Sequence, residues 1–450
     1  MLELISLVDF IIPPIFIIII YLIAKKIQLQ RIESNPSYKY FIWGLWVKII
    51  GGISVCLVYV FYYGGGDTLN YYNDCVVYVN MLFKSPADLL DLIIGPHPET
   101  WYALDSNTGY MYYFSDPHAL AVVKLCWVLC LISFKSFIGM TILIAWISYY
   151  PIWRLYQVLL GEFPKLSKEF AIALLFVPSV FFWGSGLLKD TITFSSVCLF
   201  ASSYSIILTK KKDYGTNILF LIISSTFLIW IKPYIFFALL PGSILWYGGI
   251  QIFRVKNNLV QSLTTPFLII VSLLCGYVML NLMSNVLGEY SIDNVIDKAA
   301  ISQNDLKSDY YQGSSFDIGS FDPTVAGILS KMPAAINAAL FRPYIWETYN
   351  AAMLMSGIEN FIMMMFTIYL VIKLRVYNLF RLMFRHRILF FTVYFSIFFS
   401  FSVGLSTSNF GSLVRYKIPA IPFFLVSLII ISSTYKELKK EDEVKNIINE

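Results

Sequence analysis

Val8-Asp9-Phe10-Ile11-Ile12-Pro13-Pro14-Ile15-Phe16-Ile17-Ile18-Ile19-Ile20-Tyr21-Leu22-Ile23-Ala24, closed by Lys25-Lys26, sets the class of this protein. Its one charge is Asp9, near the start. As a helix the run rises about 1.5 Å per residue and comes close to the thickness of a bilayer's hydrocarbon core. Comparable apolar runs follow at 40–63, 119–134, 137–153, 170–188, 191–209, 216–231, 233–252, 262–283, 351–372, 388–406 and 418–434. The chain is 58% hydrophobic and 14% charged, more apolar surface than a soluble domain can hide and lipid must therefore solvate. Only helices or closed barrels satisfy the backbone in lipid, and runs of this length are helical. The reading is an all-α polytopic integral membrane protein with about 11–12 transmembrane helices. The first span has no basic leader and no small-residue cleavage site, so it reads as retained.

Loop charge sets the sidedness. Residues 25–39 carry +3, 210–213 carry +2, Arg254 and Lys256 add +2, and 373–387 carry +5. Basic loops stay in the cytoplasm. Two long loops are acidic: 64–118 at −6 and 284–350 at −4. Both belong outside, and each holds a candidate amphipathic helix, at 74–95 and 326–340. Residues 1–435 form one transmembrane domain, with a polar cytoplasmic tail at 436–450. One conflict remains: residues 25–39 and the Arg154 loop both look cytoplasmic, yet three candidate spans separate them. Either one of 119–134 and 137–153 is re-entrant or interfacial, or the Arg154 loop lies outside. The cytoplasmic placement is favoured because it puts Lys189 outside and Lys210 to Lys212 inside.

Some function classes drop out. The net charge of +5 is spread over short loops, which is no footprint for nucleic acid. There is no P-loop, dinucleotide fingerprint or serine-hydrolase elbow, and His97, His118 and His386 lack metal-ligand spacing. Five of the six cysteines sit in apolar runs as small core residues, and Cys75, in the acidic loop, has no loop partner for a disulfide.

What remains is cations at outer span ends: Lys189 in Gly184-Ser185-Gly186-Leu187-Leu188-Lys189-Asp190, Lys232 before Pro233, Arg342 in Phe341-Arg342-Pro343-Tyr344-Ile345-Trp346-Glu347, and Arg415 and Lys417 in Arg415-Tyr416-Lys417-Ile418-Pro419. Cations on that face need an anionic partner. Together they could neutralise a diphosphate, with Arg as a fork and Lys as a point charge. Separately they would pair with the acidic loops, or snorkel. Asp190 reads as a helix N-cap. The first acidic loop opens with Gly64-Gly65-Gly66-Asp67, flanked by Tyr62, Tyr63, Tyr71 and Tyr72. Asp67 reads either as a general base or metal-holding carboxylate among tyrosines that suit sugar rings, or as a helix cap.

An acidic residue in the first large outer loop, followed by amphipathic segments, resembles the GT-C superfamily of membrane glycosyltransferases. The Ser-Gly-Leu-Leu-Lys-Asp turn, the Phe-Arg-Pro-Tyr-Ile-Trp-Glu segment and the late Arg-Tyr-Lys-Ile-Pro resemble elements of bacterial O-antigen and exopolysaccharide polymerases. The resemblance implies a multi-pass protein of the bacterial inner membrane that transfers sugar from a polyprenyl-(di)phosphate donor at the outer face. Asp67 would be its base and Arg342 and Arg415 its diphosphate ligands. Lys189, Lys232, Lys417, Tyr71, Trp346 and Glu347 complete the expected binding set, with Tyr310, Tyr311 and Asp317 covering the glycan. Within these residues no soluble C-terminal domain of the oligosaccharyltransferase kind is expected, and no second acid stands beside Asp67, the nearest being Asp74. No motif demands a cofactor, and a divalent cation at Asp67 stays open. Expected partners are the bilayer, the lipid-linked glycan and other envelope-polysaccharide assembly proteins. The rival reading is a transporter or flippase for an anionic lipid-linked glycan, and a third is a non-catalytic scaffold in envelope assembly.

Overall fold

The computed structural model describes residues 6–95, 98–209, 213–252, 315–319, 325–383 and 386–449. The predicted span 262–283, His97, Lys210, Lys211, Lys212, Arg254, Lys256, Tyr310 and Tyr311 lie outside these residues. Regular structure among the described residues is helical, apart from a single bridge between Ser315 and Asn409. The helices cluster into two compact units. The first comprises Met1–Phe176, Val180–Ser203 and Gly215–Lys232, and the second Val177–Ser179, Tyr204–Tyr214 and Pro233–Glu450.

Seven described helices are long and apolar enough to cross a membrane: Val8–Arg31, Pro36–Tyr63, Lys189–Thr209, Tyr214–Ile231, Met353–Arg375, Ile388–Ser406 and Ala420–Lys440. The chain is therefore an all-α, multi-pass membrane protein. The predicted span 170–188 is not one helix. It divides into short pieces, Ser167–Leu175 and Pro178–Trp183, because Pro178 cannot donate to a continuing helix.

In the first unit, α1 (Val8–Arg31), α2 (Phe41–Leu57), α3 (Asp67–Lys84), α4 (Pro86–Ile94), α5 (Pro117–Ile132) and α6 (Phe137–Glu162) precede the short α7 (Ser167–Leu175). α6 packs against α1 and α2, and α3 packs against α5. The conflict over 119–153 has a geometric counterpart. α5 and α6 meet at 115° across a break of a few residues, the shape of a broken span or re-entrant loop. Phe134 (φ 53°) and Lys135 (φ 60°) make the turn, and Ser136 caps α6 by accepting from the Gly139 amide at 2.9 Å. The lone acid of the opening run closes the corner: Asp9 accepts from Ser136 Oγ at 2.7 Å and the Ile138 amide at 3.0 Å. A carboxylate at a helix start is favoured by the unpaired amides and the dipole.

The prediction for 74–95 needs correction. No single amphipathic helix lies over this stretch. α3 and α4 break at Ser85, which caps α4, and Tyr71, Cys75, Tyr78 and Met81 of α3 join Leu89 and Leu92 of α4 in a core shared with α5. Polar residues of α3 that make the stretch look like a loop have partners inside the protein. Asp74 accepts both the Tyr112 and Tyr113 amides, at 2.7 and 2.9 Å, and Asn80 donates to the Thr108 carbonyl at 3.0 Å.

After α8 (Pro178–Trp183) come α9 (Lys189–Thr209), α10 (Tyr214–Ile231) and α11 (Pro233–Ile252). The second unit adds α12 (Val325–Ser330), α13 (Met332–Phe341), α14 (Ala351–Met383), α15 (Arg387–Ser406), α16 (Phe410–Tyr416) and α17 (Ala420–Asn449). α15 is its centre, packed against α11, α13 and α17. α13, predicted as a surface helix, buries Ala335, Ala338, Ala339 and Leu340. Gly404 of α15 makes this possible, since a Cβ there would lie 2.0 Å from the Ala335 carbonyl oxygen. The predicted tail is the continuation of α17.

Candidate functional site

In the first unit the site grows from the unwound turn between α8 and α9. Gly186 lets this turn press on α2, where an added Cβ would come within 2.7 Å of Val55. Lys48 of α2, 4% exposed, donates to the Gly184 carbonyl, and Thr191 Oγ1 donates to the Gly186 carbonyl at 2.6 Å. Backbone oxygens freed by the broken helix are thus satisfied from two sides.

This anchored turn delivers Lys189 and Asp190 at the first turn of α9. Lys189 Nζ lies 3.4 Å from Asp116 Oδ2, and its side chain is 22% exposed. Asp116 is the N-cap of α5, its Oδ1 accepting from the His118 and Ala119 amides at 2.9 and 3.0 Å. Burial disfavours the Asp116 charge, but Lys189 and the two amides outweigh it and hold the carboxyl below the usual carboxylate range. Asp190 is not the cap that its sequence position suggests. It sits inside the first turn and pairs with Lys232 at 2.5 Å, with both side chains buried.

Asp67 lies in the first turn of α3, with Gly66 in the cap position. Its Oδ1 accepts from Tyr113 OH at 3.2 Å. Burial, then the neighbouring Asp67 charge, push the Tyr113 phenol above its ordinary range, so it keeps its proton and remains a donor. The charges of Asp67 and Lys232 both act on Lys189. One cluster therefore gathers Asp67, Tyr113, Asp116, Lys189, Asp190 and Lys232. Tyr71 does not offer a face to a sugar. It is 2% exposed and stacks on Tyr113 at 4.6 Å.

The second unit holds a separate group. Arg342 follows α13 and grips Glu347 with its fork: Nε lies 3.1 Å from both carboxylate oxygens, and Nη2 also donates to Oε1. Its guanidinium sits 4.8 Å from the Phe316 ring, 5.3 Å from Phe410 and 5.9 Å from Tyr344. Lys417, 1% exposed, donates to the Arg342 carbonyl and to Asn360 Oδ1, each at 2.8 Å. Burial pushes the Lys417 ammonium down to about 7, against the pull of Glu359. Arg415 lies half-buried in the last turn of α16. Trp346 stacks on Tyr344 at 5.0 Å and is 72% exposed. Asp317 accepts from the Gly319 amide at 2.8 Å.

The predicted cations thus divide. Lys189 and Lys232 share the Asp67 cluster, while in the second unit Arg342 pairs with Glu347 among aromatic rings and Lys417 donates to the Arg342 carbonyl and Asn360. Lys417 is a buried strut, and Glu347 is the partner of Arg342. Sequence reasoning missed Asp116, although Asp116-Pro117 ahead of an apolar run is a helix-start signature. It also missed Tyr113, for which no local signal exists. Among the described residues no three His, Cys, Asp or Glu side chains are grouped to hold a metal ion. No family model, curated protein or solved structure matches the chain.

Proposed function

We propose that the protein is a membrane glycosyltransferase or polysaccharide polymerase. It would use a polyprenyl-(di)phosphate-linked sugar at the outer face of a bacterial inner membrane, in cell-surface polysaccharide assembly. The observation that carries the reading is the shared cluster of Asp67 and Lys189, a partly exposed carboxylate whose charge acts on a partly exposed ammonium. Sugar transfer from a phosphorylated lipid calls for a proton acceptor and a counter-charge for the leaving phosphate, and this pair supplies both. Asp67 takes the proton of the acceptor hydroxyl, whose oxygen bonds to the anomeric carbon. The bond from that carbon to the phosphate oxygen breaks, and its electron pair leaves on the phosphate. Lys189 neutralises the charge that develops there, and a preorganised cation lowers the barrier because it need not reorganise. Tyr113 aims Asp67, and the Lys232–Asp190 pair fixes the start of α9.

The test is reconstitution in vesicles with lipid-linked oligosaccharide extracted from the source cells. Asp67→Asn should lower transfer by about 10²–10⁴-fold, the span of general-base contributions, while donor binding persists. Unchanged transfer rejects Asp67 as the base.

One observation favours the transporter reading. Lys48 is buried within an apolar helix against an unwound stretch of backbone, and intramembrane cations beside broken helices mark substrate pathways. Movement of the intact lipid-linked glycan across the vesicle, without transfer, would establish it.

A further inference from the structure

A second feature of the first unit lies next to the Lys189–Asp116 pair. A cleft of ≈ 690 Å³ is lined by Trp101, Tyr102, Phe114, Ser115, Pro117, Leu120 and Lys124. This is within the size range of small-molecule sites. Pro117, Leu120 and Lys124 are spaced three and four apart on α5 and form one stripe, so Lys124 lies about 10 Å along the helix from its first residue. The facing wall is the short 3₁₀ helix Pro98–Ala103, which carries Trp101 and Tyr102. Trp101 packs edge-on against Phe114 at 5.0 Å and is 39% exposed, and Tyr102 is 85% exposed. Ser115 and Pro117 flank Asp116, the partner of Lys189, and Tyr113 of the same segment holds Asp67. The cleft is therefore built on the strand of chain that organises the candidate reaction centre.

Two properties define its occupant. Exposed aromatic faces accept the C–H face of a sugar ring, an apolar surface with polar edges. Lys124 is half-buried, and among the described residues no carboxylate or hydrogen-bond acceptor pairs with it. An ammonium in a partly dry cleft is balanced best by an anion brought by the ligand.

We infer that this cleft binds an acidic sugar residue of the glycan, its ring on Trp101 and Tyr102 and its carboxylate on Lys124. The inference rests on the glycan-transfer reading and narrows it to substrates that carry a carboxylated sugar near the reacting end.

The experiment uses the full chain in phosphatidylcholine nanodiscs, with trigalacturonic acid and its uncharged trimethyl ester as probes. The signal is the tryptophan fluorescence change lost in Trp101→Phe. The acid should bind about ten-fold or more tighter than the ester, as expected for one hydrogen bond to a charged group. Lys124→Met should erase the preference and leave ester binding unchanged. Equal binding of acid and ester overturns the inference, as does a preference that survives Lys124→Met or an absence of binding by either. Lys124-dependent competition by phosphatidylglycerol added to the nanodisc would make the cleft a lipid-headgroup site and also overturns it. Asp67→Asn should bind the acid like wild type. Acid binding retained alongside unchanged transfer in Asp67→Asn would reject the catalytic reading and leave this subsite standing.

Discussion

Replacing Lys232 by Met removes one partner of an ion pair that water barely reaches. Its ammonium lies 2.5 Å from Asp190 Oδ1, with side-chain exposures of 8% and 1%. The pair ties the residue after α10 to the first turn of α9. Once Lys232 is gone, the buried Asp190 carboxylate loses this ammonium's charge. Breaking such a pair from one side costs about 3–5 kcal/mol. That is about 10²- to 10³-fold or more in the folded-to-unfolded ratio, at 1.4 kcal/mol per decade. Removing both charges together, as Lys232→Met with Asp190→Leu, relieves the desolvation cost and should recover most of the loss. The cysteines provide the assay. Cys56, Cys75, Cys126, Cys130 and Cys198 are all buried free thiols. With the sixth cysteine, Cys275, replaced by Ser, a thiol-reactive fluorophore therefore reports unfolding directly in detergent during a denaturant or thermal ramp. The reasoning is refuted if Lys232→Met stays within about 0.5 kcal/mol of wild type, the scatter of surface substitutions. It is equally refuted if the double variant is no more stable than the single one.

Two further outcomes follow from named groups. Burial raises the Asp74 carboxyl to about 6, against the two backbone amides of Tyr112 and Tyr113 that favour its charge. Its folded pKa lies above its unfolded value, so its contribution to stability is largest below about pH 4 and is lost as pH rises through about 6. The wild type minus Asp74→Asn stability difference should therefore fall by roughly 3 kcal/mol at most between pH 4 and pH 7, and a difference that grows with pH contradicts this. Arg342→Lys keeps the charge but loses the two-point grip on Glu347 and the packing over Phe316 and Phe410. It should cost on the order of 2 kcal/mol in the same unfolding assay, and wild-type stability would show the fork to be dispensable.

Much of the membrane architecture was legible from hydropathy, because lipid-facing helices have no other way to meet their solvent. The runs at 8–24, 191–209 and 388–406 correspond closely to α1, α9 and α15. The loop-charge conflict around 119–153 falls where α5 and α6 turn through 115°. Hydropathy failed at α3, because the buried Asp74 and half-buried Asn80 look like loop residues until their partners in 108–113 are known. It also failed at 170–188, where average apolarity hid the proline that divides α7 from α8. The cations were found by position, but their roles depend on partners that sequence does not place. Lys189 faces Asp116, from a distant helix start, and the ammonium of Lys417 is spent on the Arg342 carbonyl and Asn360.

The proposal that Lys189 receives a phosphorylated lipid beside Asp67 comes down to one binding measurement. Polyprenyl diphosphate, without sugar, is titrated against wild type, Lys189→Met and Asp67→Asn in nanodiscs, with thiol protection confirming that each variant is folded. Lys189→Met should bind about ten-fold or more weakly, and Asp67→Asn should bind as well as wild type or better. Wild-type affinity in Lys189→Met, or loss of affinity in Asp67→Asn, would contradict it.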